Sequence, residues 1–414
     1  MKTGLSRPKH QIRWLLLEGI SPSAPDVLAQ AGYTNVTQMK TALDRAALIE
    51  ALQGVHILGI RSRTQVDEEI LKAAGTLVAV GCFSVGTNQV DLVGANRRGV
   101  PVFNAPFSNT RSVAELTIAE IVMLVRGTFT KSMAAHSGRW LKTAAGSNEV
   151  RGKTLGIVGY GNIGSQLAML AEALGMRVVF YDHTDKLRHG NVEPVGPLGE
   201  LLAVSDVVSL HLPQTPETRG MIGRDEIAAM KKGAYLINNA RGTVLDIDAL
   251  ADALKSGHLA GAAVDVFPSE PKSNDEEFVS PLRGLDNVIL TPHVGGSTEE
   301  AQERIGEEVA RRLVEYSDVG STIGAVNFPQ VQLPKGTSNT RFIQVQRNTP
   351  GELGKLNDLF AAQKINIAAQ HYQTDGEIGY VVLDADGPVA NSVEVLEGIR
   401  DLSGTIRARL LNRV

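Results

Sequence analysis

Three side chains of this 414-residue sequence have the types an alcohol oxidation requires: Arg241, Glu270 and His293. Taking a hydride from a carbinol carbon leaves a hydroxyl proton that needs a base. An imidazole, with an unperturbed pKa of about 6.5, exchanges a proton near neutrality. A carboxylate beside it holds one ring tautomer and raises its affinity for that proton. A guanidinium grips a substrate carboxylate with two parallel hydrogen bonds and polarises a carbonyl. Taken singly, each of the three reads equally well as a surface charge or a loop side chain. What joins them is position, because each follows a short apolar run, at residues 234–238, 260–264 and 288–290 respectively.

A second constellation is Gly159-Tyr160-Gly161-Asn162-Ile163-Gly164, which follows the apolar run 154–158 and opens a helical pattern. In that context the glycines have separate duties. Gly159 permits a tight turn, Gly161 lets backbone approach a pyrophosphate, and Gly164 lets helix and strand pack closely. The amides of Asn162 and Ile163 point the helix N-terminus at the anion. Asp182 ends the next apolar run, about 18 residues past Gly164. That is close to the ~20 expected of the acid that binds the adenosine ribose hydroxyls. A carboxylate there repels a 2′-phosphate, so NAD is expected rather than NADP; His183 beside it softens the repulsion when protonated.

These residues need a scaffold that gathers strand ends. The runs 154–158, 177–181, 206–210, 234–238, 260–264 and 288–290 read as parallel strands buried on both faces, with helical segments between most of them. This is a doubly wound, Rossmann-type α/β domain, whose ligands bind outside the carboxyl ends of the strands. Runs at 14–17, 55–58, 77–80 and 100–103, with helices at 67–74 and 88–97, form a second, flavodoxin-like α/β unit. A long helix is expected over 112–135, where Ser112 and Glu115 have the spacing of a capping box. Another, over 298–316, leads back to the first unit. The expected domains are therefore a discontinuous α/β lobe (12–107 plus 298–332), a nucleotide-binding domain (108–297) and a C-terminal domain (339–414). Residues 320–339, rich in Gly, Pro and Ser, read as a linker. The last domain has the order strand 341–347, helix 352–361, strand 366–373, strand 379–385, helix 392–400, strand 405–411. That βαββαβ pattern is ferredoxin-like.

Composition narrows the functional classes. Lys and Arg number 41 against 45 Asp and Glu, for a net charge of −4, with no basic stripe. Neither nucleic acid nor an anionic membrane is an expected partner. The sole cysteine, Cys82, allows no intrachain disulfide and fits a reducing, cytoplasmic setting. No segment reaches the ~18 apolar residues of a membrane helix. Residues 1–11 lack the apolar stretch of a signal peptide and read as a disordered tail. No metal site is expected.

The chain resembles the D-2-hydroxyacid dehydrogenase family over nearly its whole length. The motifs that carry the resemblance are the 156–164 glycine segment, Asn238-Asn239-Ala240-Arg241-Gly242-Thr243, Gly261-Ala262-Ala263-Val264-Asp265-Val266-Phe267 and Thr291-Pro292-His293-Val294-Gly295-Gly296. The resemblance implies catalysis by Arg241, Glu270 and His293. It adds Asn239, Ala240, Asp265, Val294, Gly295 and Gly296 to the cofactor contacts. It also implies oxidation of 3-phosphoglycerate to 3-phosphohydroxypyruvate, a step of L-serine biosynthesis, in a homotetramer. Arg61-Ser62-Arg63 and Asn109 match substrate-lobe motifs. Two arginines around a serine suit a phosphate and a carboxylate. Lys142 follows Trp140 in a loop that, in such relatives, reaches a neighbouring subunit. The C-terminal part resembles an ACT domain, an amino-acid-binding allosteric module. Gln346, Asn348 and Asn366 match its ligand side, with L-serine as effector; Gln346 stands where relatives often carry His. Two alternatives stay open: another D-2-hydroxy acid such as 2-hydroxyglutarate as substrate, or an NAD-sensing corepressor without catalysis.

Overall fold

Short runs rich in Val, Ile, Leu and Ala become strands in this protein because helices cover both faces of its parallel sheets, leaving no room for polar alternation. In the computed structural model, residues 7–271, 275–333, 340–386 and 391–412 are described. They fall into two compact units, Met1–Ser108 with Gln302–Val414, and Asn109–Ala301.

In the first unit, β1 (Trp14–Leu16), β2 (Val36–Gln38), β3 (Ile57–Ile60), β4 (Ala79–Cys82) and β5 (Val102–Phe103) form a parallel sheet. Its order is β2-β1-β3-β4-β5, as in flavodoxin-like folds. The returning helix Glu299–Val319 lays Val309, Leu313 and Tyr316 against Trp14, Phe83 and Phe103.

The second unit holds β6 (Thr154–Val158), β7 (Arg177–Tyr181), β8 (Glu193–Pro194), β9 (Val207–Leu210), β10 (Ala234–Asn238), β11 (Leu259–Val264) and β12 (Val288–Leu290). All pair in parallel in the order β12-β11-β10-β9-β6-β7-β8. The chain reverses its direction of winding between β6 and β9, and the crevice at such a reversal is where ligands bind. The turn after β6, Gly159 to Gly164, lies there.

One helix expected over 112–135 is two, Thr110–Arg126 and Thr128–His136, because Gly127 adopts φ +61° and ends the first. Ser112 and Glu115 form no capping box. Ser112 Oγ pairs with Thr298 Oγ1 at 2.8 Å, and Glu115 accepts from Arg111 at 2.6 Å.

The C-terminal strands β13 (Thr340–Arg347), β14 (Ile367–Thr374), β15 (Ile378–Ala385) and β16 (Thr405–Asn412) form an antiparallel sheet ordered β14-β15-β13-β16. Side chains alternate across a strand, and here both faces are apolar. Phe342, Val381 and Leu383 meet the helices Glu352–Ala362 and Ser392–Asp401 through Phe360, Val395 and Ile399. The opposite face, with Ile343, Val345, Tyr380 and Val382, joins the core built by Phe103, Leu313, Tyr316 and Phe328. Arg341 is buried there, its Nε and Nη2 donating to Asp384 at 2.6 and 2.7 Å and its Nη1 to the Val319 carbonyl at 2.7 Å. The stretch read as a linker is therefore fastened along its first part. Asn327 accepts from the Val102 amide and donates to the carbonyls of Leu92 and Val100, and Tyr380 donates to the Gly320 carbonyl at 2.6 Å. Residues 334–339 of that stretch lie outside the described residues. So do 1–6 of the tail expected to be disordered; of its remainder, Lys9 Nζ is fixed between Asp318 and the Ala31 carbonyl, both at 2.7 Å.

Candidate active site

The three chemically suggestive residues all belong to the second unit. Asn238, the last residue of β10, folds its side chain over the turn that follows: its Oδ1 accepts from the Ala240 amide and its Nδ2 donates to the Arg241 carbonyl. This fixes the backbone of Arg241. Burial depresses the Arg241 guanidinium's proton affinity first of all, and the negative charge of Glu270 counteracts it. Gly242 follows because a Cβ there would overlap the backbone of Phe267 and Pro268. The turn after β10 thus touches the one after β11 that carries Glu270.

Glu270 accepts from the Phe267 amide through Oε1 at 3.0 Å, which turns Oε2 towards His293 Nδ1 at 2.8 Å. A carboxylate only accepts, so the proton on this contact is on Nδ1 and Nε2 is left as the acid–base nitrogen. The Glu270 hydrogen bond raises the His293 pKa above 6.5 despite the opposing effect of burial, and the charges of Glu270 and Asp265 add to the rise. Glu270 itself lies below the usual carboxylate range. Burial pushes it upward, but the His293 contact, the Phe267 amide and Arg241 together outweigh that.

His293 has φ +56°, a left-handed conformation uncommon outside glycine. Asp265, 1 % exposed at the end of β11, holds it there. Its Oδ1 accepts from Thr291 Oγ1 and the Val294 amide, and its Oδ2 from the Gly295 amide, at 2.6 to 2.8 Å. The Asp265 carboxylate, expected to touch the nicotinamide end, accepts these three hydrogen bonds from its own loop. Gly296 lies against the Asn109 amide, which starts the helix Thr110–Arg126. Asn239 is buried, donating to Thr117 Oγ1 at 3.0 Å and Glu120 Oε2 at 2.7 Å. Glu120 is fully buried, and desolvation, helped by the charge of Asp265 and opposed by the Asn239 contact, lifts its pKa to about 7. Glu120 lies in the helix Thr110–Arg126, and its hydrogen-bond partner Asn239 comes from the turn after β10, far away in sequence.

The glycine turn has the shape a pyrophosphate needs. Gly159 has φ +96° and abuts the His211 carbonyl, Gly164 abuts the Gly159 carbonyl, and a Cβ on Gly161 would meet nothing within 4 Å. The open position is the one where an anion would approach, beside the first helical amides at Asn162 and Ile163. Asp182 lies across the turn, its Oδ2 accepting from the Tyr160 amide at 2.9 Å. His183 and Lys186 lie 3.3 and 3.8 Å from its Oδ1.

Arg61, Ser62 and Arg63 belong to the first unit, on the loop after β3, with Ser62 and Arg63 exposed. Lys142 is exposed beside Trp140 in the second unit. Of the three residues expected on the ligand side of the C-terminal domain, two are brought together. Gln346 is buried at the end of β13, and Asn348 just beyond it accepts from Tyr372 Oη at 3.1 Å. Asn366 is at the other end of the sheet, donating to Asp386. The eight-residue β15 separates them, roughly 25 Å at the rise of a strand.

A family profile described as D-isomer specific 2-hydroxyacid dehydrogenase, NAD binding domain, matches residues 118–295, and one described as an AHAS small subunit-like ACT domain matches 342–407. The chain is similar to the D-3-phosphoglycerate dehydrogenase of Haemophilus influenzae, 55% identical over 99% of this chain and 100% of that one. It is similar to the Escherichia coli protein of the same name at 54%, over 98% of this chain and 99% of that one. Among solved structures it is similar to the D-lactate dehydrogenase of Aquifex aeolicus complexed with NAD and lactic acid. That match has a TM-score of 0.67 and 29% identity, and covers 77% of this chain and 100% of that one.

Proposed function

Given that the chain belongs to the D-isomer-specific 2-hydroxyacid dehydrogenase family, we propose that it oxidises 3-phospho-D-glycerate to 3-phosphohydroxypyruvate, the first step of L-serine synthesis. The observation that carries this is the His293–Glu270 pair, with Arg241 alongside, at adjacent strand ends of the dinucleotide-binding sheet. NAD, when bound, supplies the hydride acceptor. His293 Nε2 takes the hydroxyl proton, Glu270 fixes the ring and balances the imidazolium, and Arg241 binds the substrate carboxylate and polarises the nascent carbonyl. Gly159, Gly161, Asn162, Ile163, Gly164 and Asp182 hold the dinucleotide, with Asn239, Ala240, Val294, Gly295 and Gly296 around its nicotinamide end and Asp265 anchoring that segment. Arg61, Ser62, Arg63, Asn109 and Lys142 recognise the anionic groups of the substrate.

The test follows NADH absorbance with a panel of D-2-hydroxy acids. The highest kcat/KM with 3-phosphoglycerate supports the proposal. A preference for 2-hydroxyglutarate moves the substrate within the family, and no turnover with any member favours the NAD-sensing corepressor. The C-terminal ferredoxin-like domain supports an enzyme under amino-acid control.

We further propose that this domain binds L-serine between two copies of the chain in a cytoplasmic homotetramer. Asn348 and Gln346 of one copy face a ligand together with Asn366 of another, since one copy holds these residues at opposite ends of its sheet. Serine inhibition of the full chain, lost in Asn348→Ala without loss of basal activity, is the expected result. Calorimetry showing no serine binding overturns it.

A further inference from the structure

We infer that Glu18 is a positioning residue that builds the anion-reading loop at Arg61–Arg63, an assignment that rests on the substrate role proposed for that loop. Glu18 follows β1, in the left-handed conformation at φ +62°, with only 8 % of its surface exposed. The chain accepts this uncommon geometry because the bend is hydrogen-bonded on both sides. The Leu17 amide donates to the Gly59 carbonyl, the Glu18 amide to Thr41 and the Gly19 amide to Met39.

The bend aims a carboxylate at backbone. Glu18 Oε1 accepts from the amides of Arg61 at 3.2 Å and Thr64 at 2.9 Å, and Oε2 accepts from the amide of Arg63 at 2.9 Å. Three amides converge on one anionic group, so the loop 61–64 is curled around it. The acceptors of the loop are held separately: Gln89 Nε2 donates to the Arg61 carbonyl at 2.5 Å. Arg61 Nη1 leans on the Glu18 carbonyl at 3.5 Å. Among the described residues nothing engages the Arg63 guanidinium or the Ser62 hydroxyl, and both are exposed. Glu18 thus spends its charge on backbone rather than on the arginine side chains. The loop gains rigidity and keeps both cations for a ligand.

The chemistry requires a carboxylate. Glutamine offers one acceptor oxygen in place of two and turns an NH2 group towards amides that are themselves donors. Aspartate keeps the charge and withdraws it by one methylene. In either variant the loop loses its template while the arginines remain, so the loss falls on substrate binding.

The experiment measures Glu18→Gln, Glu18→Asp and Arg61→Ala in the full-length protein, with KM for 3-phosphoglycerate, kcat and NADH affinity read for each. Glu18→Gln is expected to raise KM about tenfold or more, with kcat within about twofold and NADH affinity unchanged, and Glu18→Asp to fall between it and the parent. If Glu18→Gln does not fold, Glu18→Asp is read by the same criterion. A raised KM in Arg61→Ala beside an unchanged KM in the Glu18 variants overturns the role of Glu18. Equal loss of kcat and NADH affinity in the Glu18 variants overturns it too, since a general structural defect acts that way. A flat KM in Arg61→Ala removes the substrate role of the loop itself, and the inference with it.

Discussion

Acid–base chemistry at His293 has a sign that experiment can read. In the oxidative direction the imidazole must start neutral, so activity rises as pH climbs through its pKa, which Glu270 holds above 6.5. Removing that carboxylate charge in Glu270→Gln lowers the pKa. The acidic limb of the oxidation profile then moves to lower pH while the maximal rate falls; a limb that stays in place would show that His293 is not the titrating group. His293→Ala should lose about 10²-fold or more in kcat with NADH affinity retained, and near-parental turnover there rules out the assignment. At this scale the sequence was legible where chemistry depends on residue type at a strand end, as for Arg241, Glu270 and His293. It was silent on Glu18, Glu120 and the anchoring contacts of Asp265. Their partners are backbone amides or distant side chains, and no spacing along the chain records those.

Among the elements, the turn between β6 and its helix separates two duties of glycine that the sequence pattern presents as one. Gly164 packs against the Gly159 carbonyl, whereas Gly161 faces open space. Gly164→Ala should therefore lower thermal stability, an overpacked contact costing about 1–3 kcal/mol. Gly161→Ala should leave the melting temperature near the parent's and weaken NADH binding about tenfold, or about 1.4 kcal/mol. Melting curves and NADH titrations on both variants check this, and identical behaviour of the two would contradict it. Elements with near-continuous apolar runs were readable, and the six strands foreseen for the nucleotide-binding domain are present within a residue or so. β2, with Thr37 and Gln38, and β8, with Glu193 and Pro194, were not, because edge strands two or three residues long carry no periodicity. The helix Ser23–Gln30 was hidden by Pro25 within its first turn, where proline is tolerated. Gly127 divided a helical pattern that by apolar spacing alone reads as continuous.

Across the whole molecule, the ferredoxin-like order of the last domain was legible, but its attachment was not. Both faces of the C-terminal sheet are apolar, and the sequence does not say that the second is covered by Phe103, Leu313, Tyr316 and Phe328. The buried Arg341–Asp384 pair lies on that covered face. Asp384→Ala strands a guanidinium away from water, and removing one partner of such a pair costs about 3–5 kcal/mol. Melting of the first unit at a clearly lower temperature is expected, and an unchanged melting curve would mean the pair is solvated in solution.

The shared core of that unit also limits how it can move. Close-packed interiors shift between discrete arrangements and do not stretch. Tyr380, Phe328 and Tyr316 belong to one packed cluster, and Arg407 donates to the Leu77 carbonyl just ahead of β4. The C-terminal domain is a wall of the lobe, not a pendant on a tether. Ala79 of β4 and Phe103 of β5 share that cluster, so a displacement of the wall cannot leave these two strands in place.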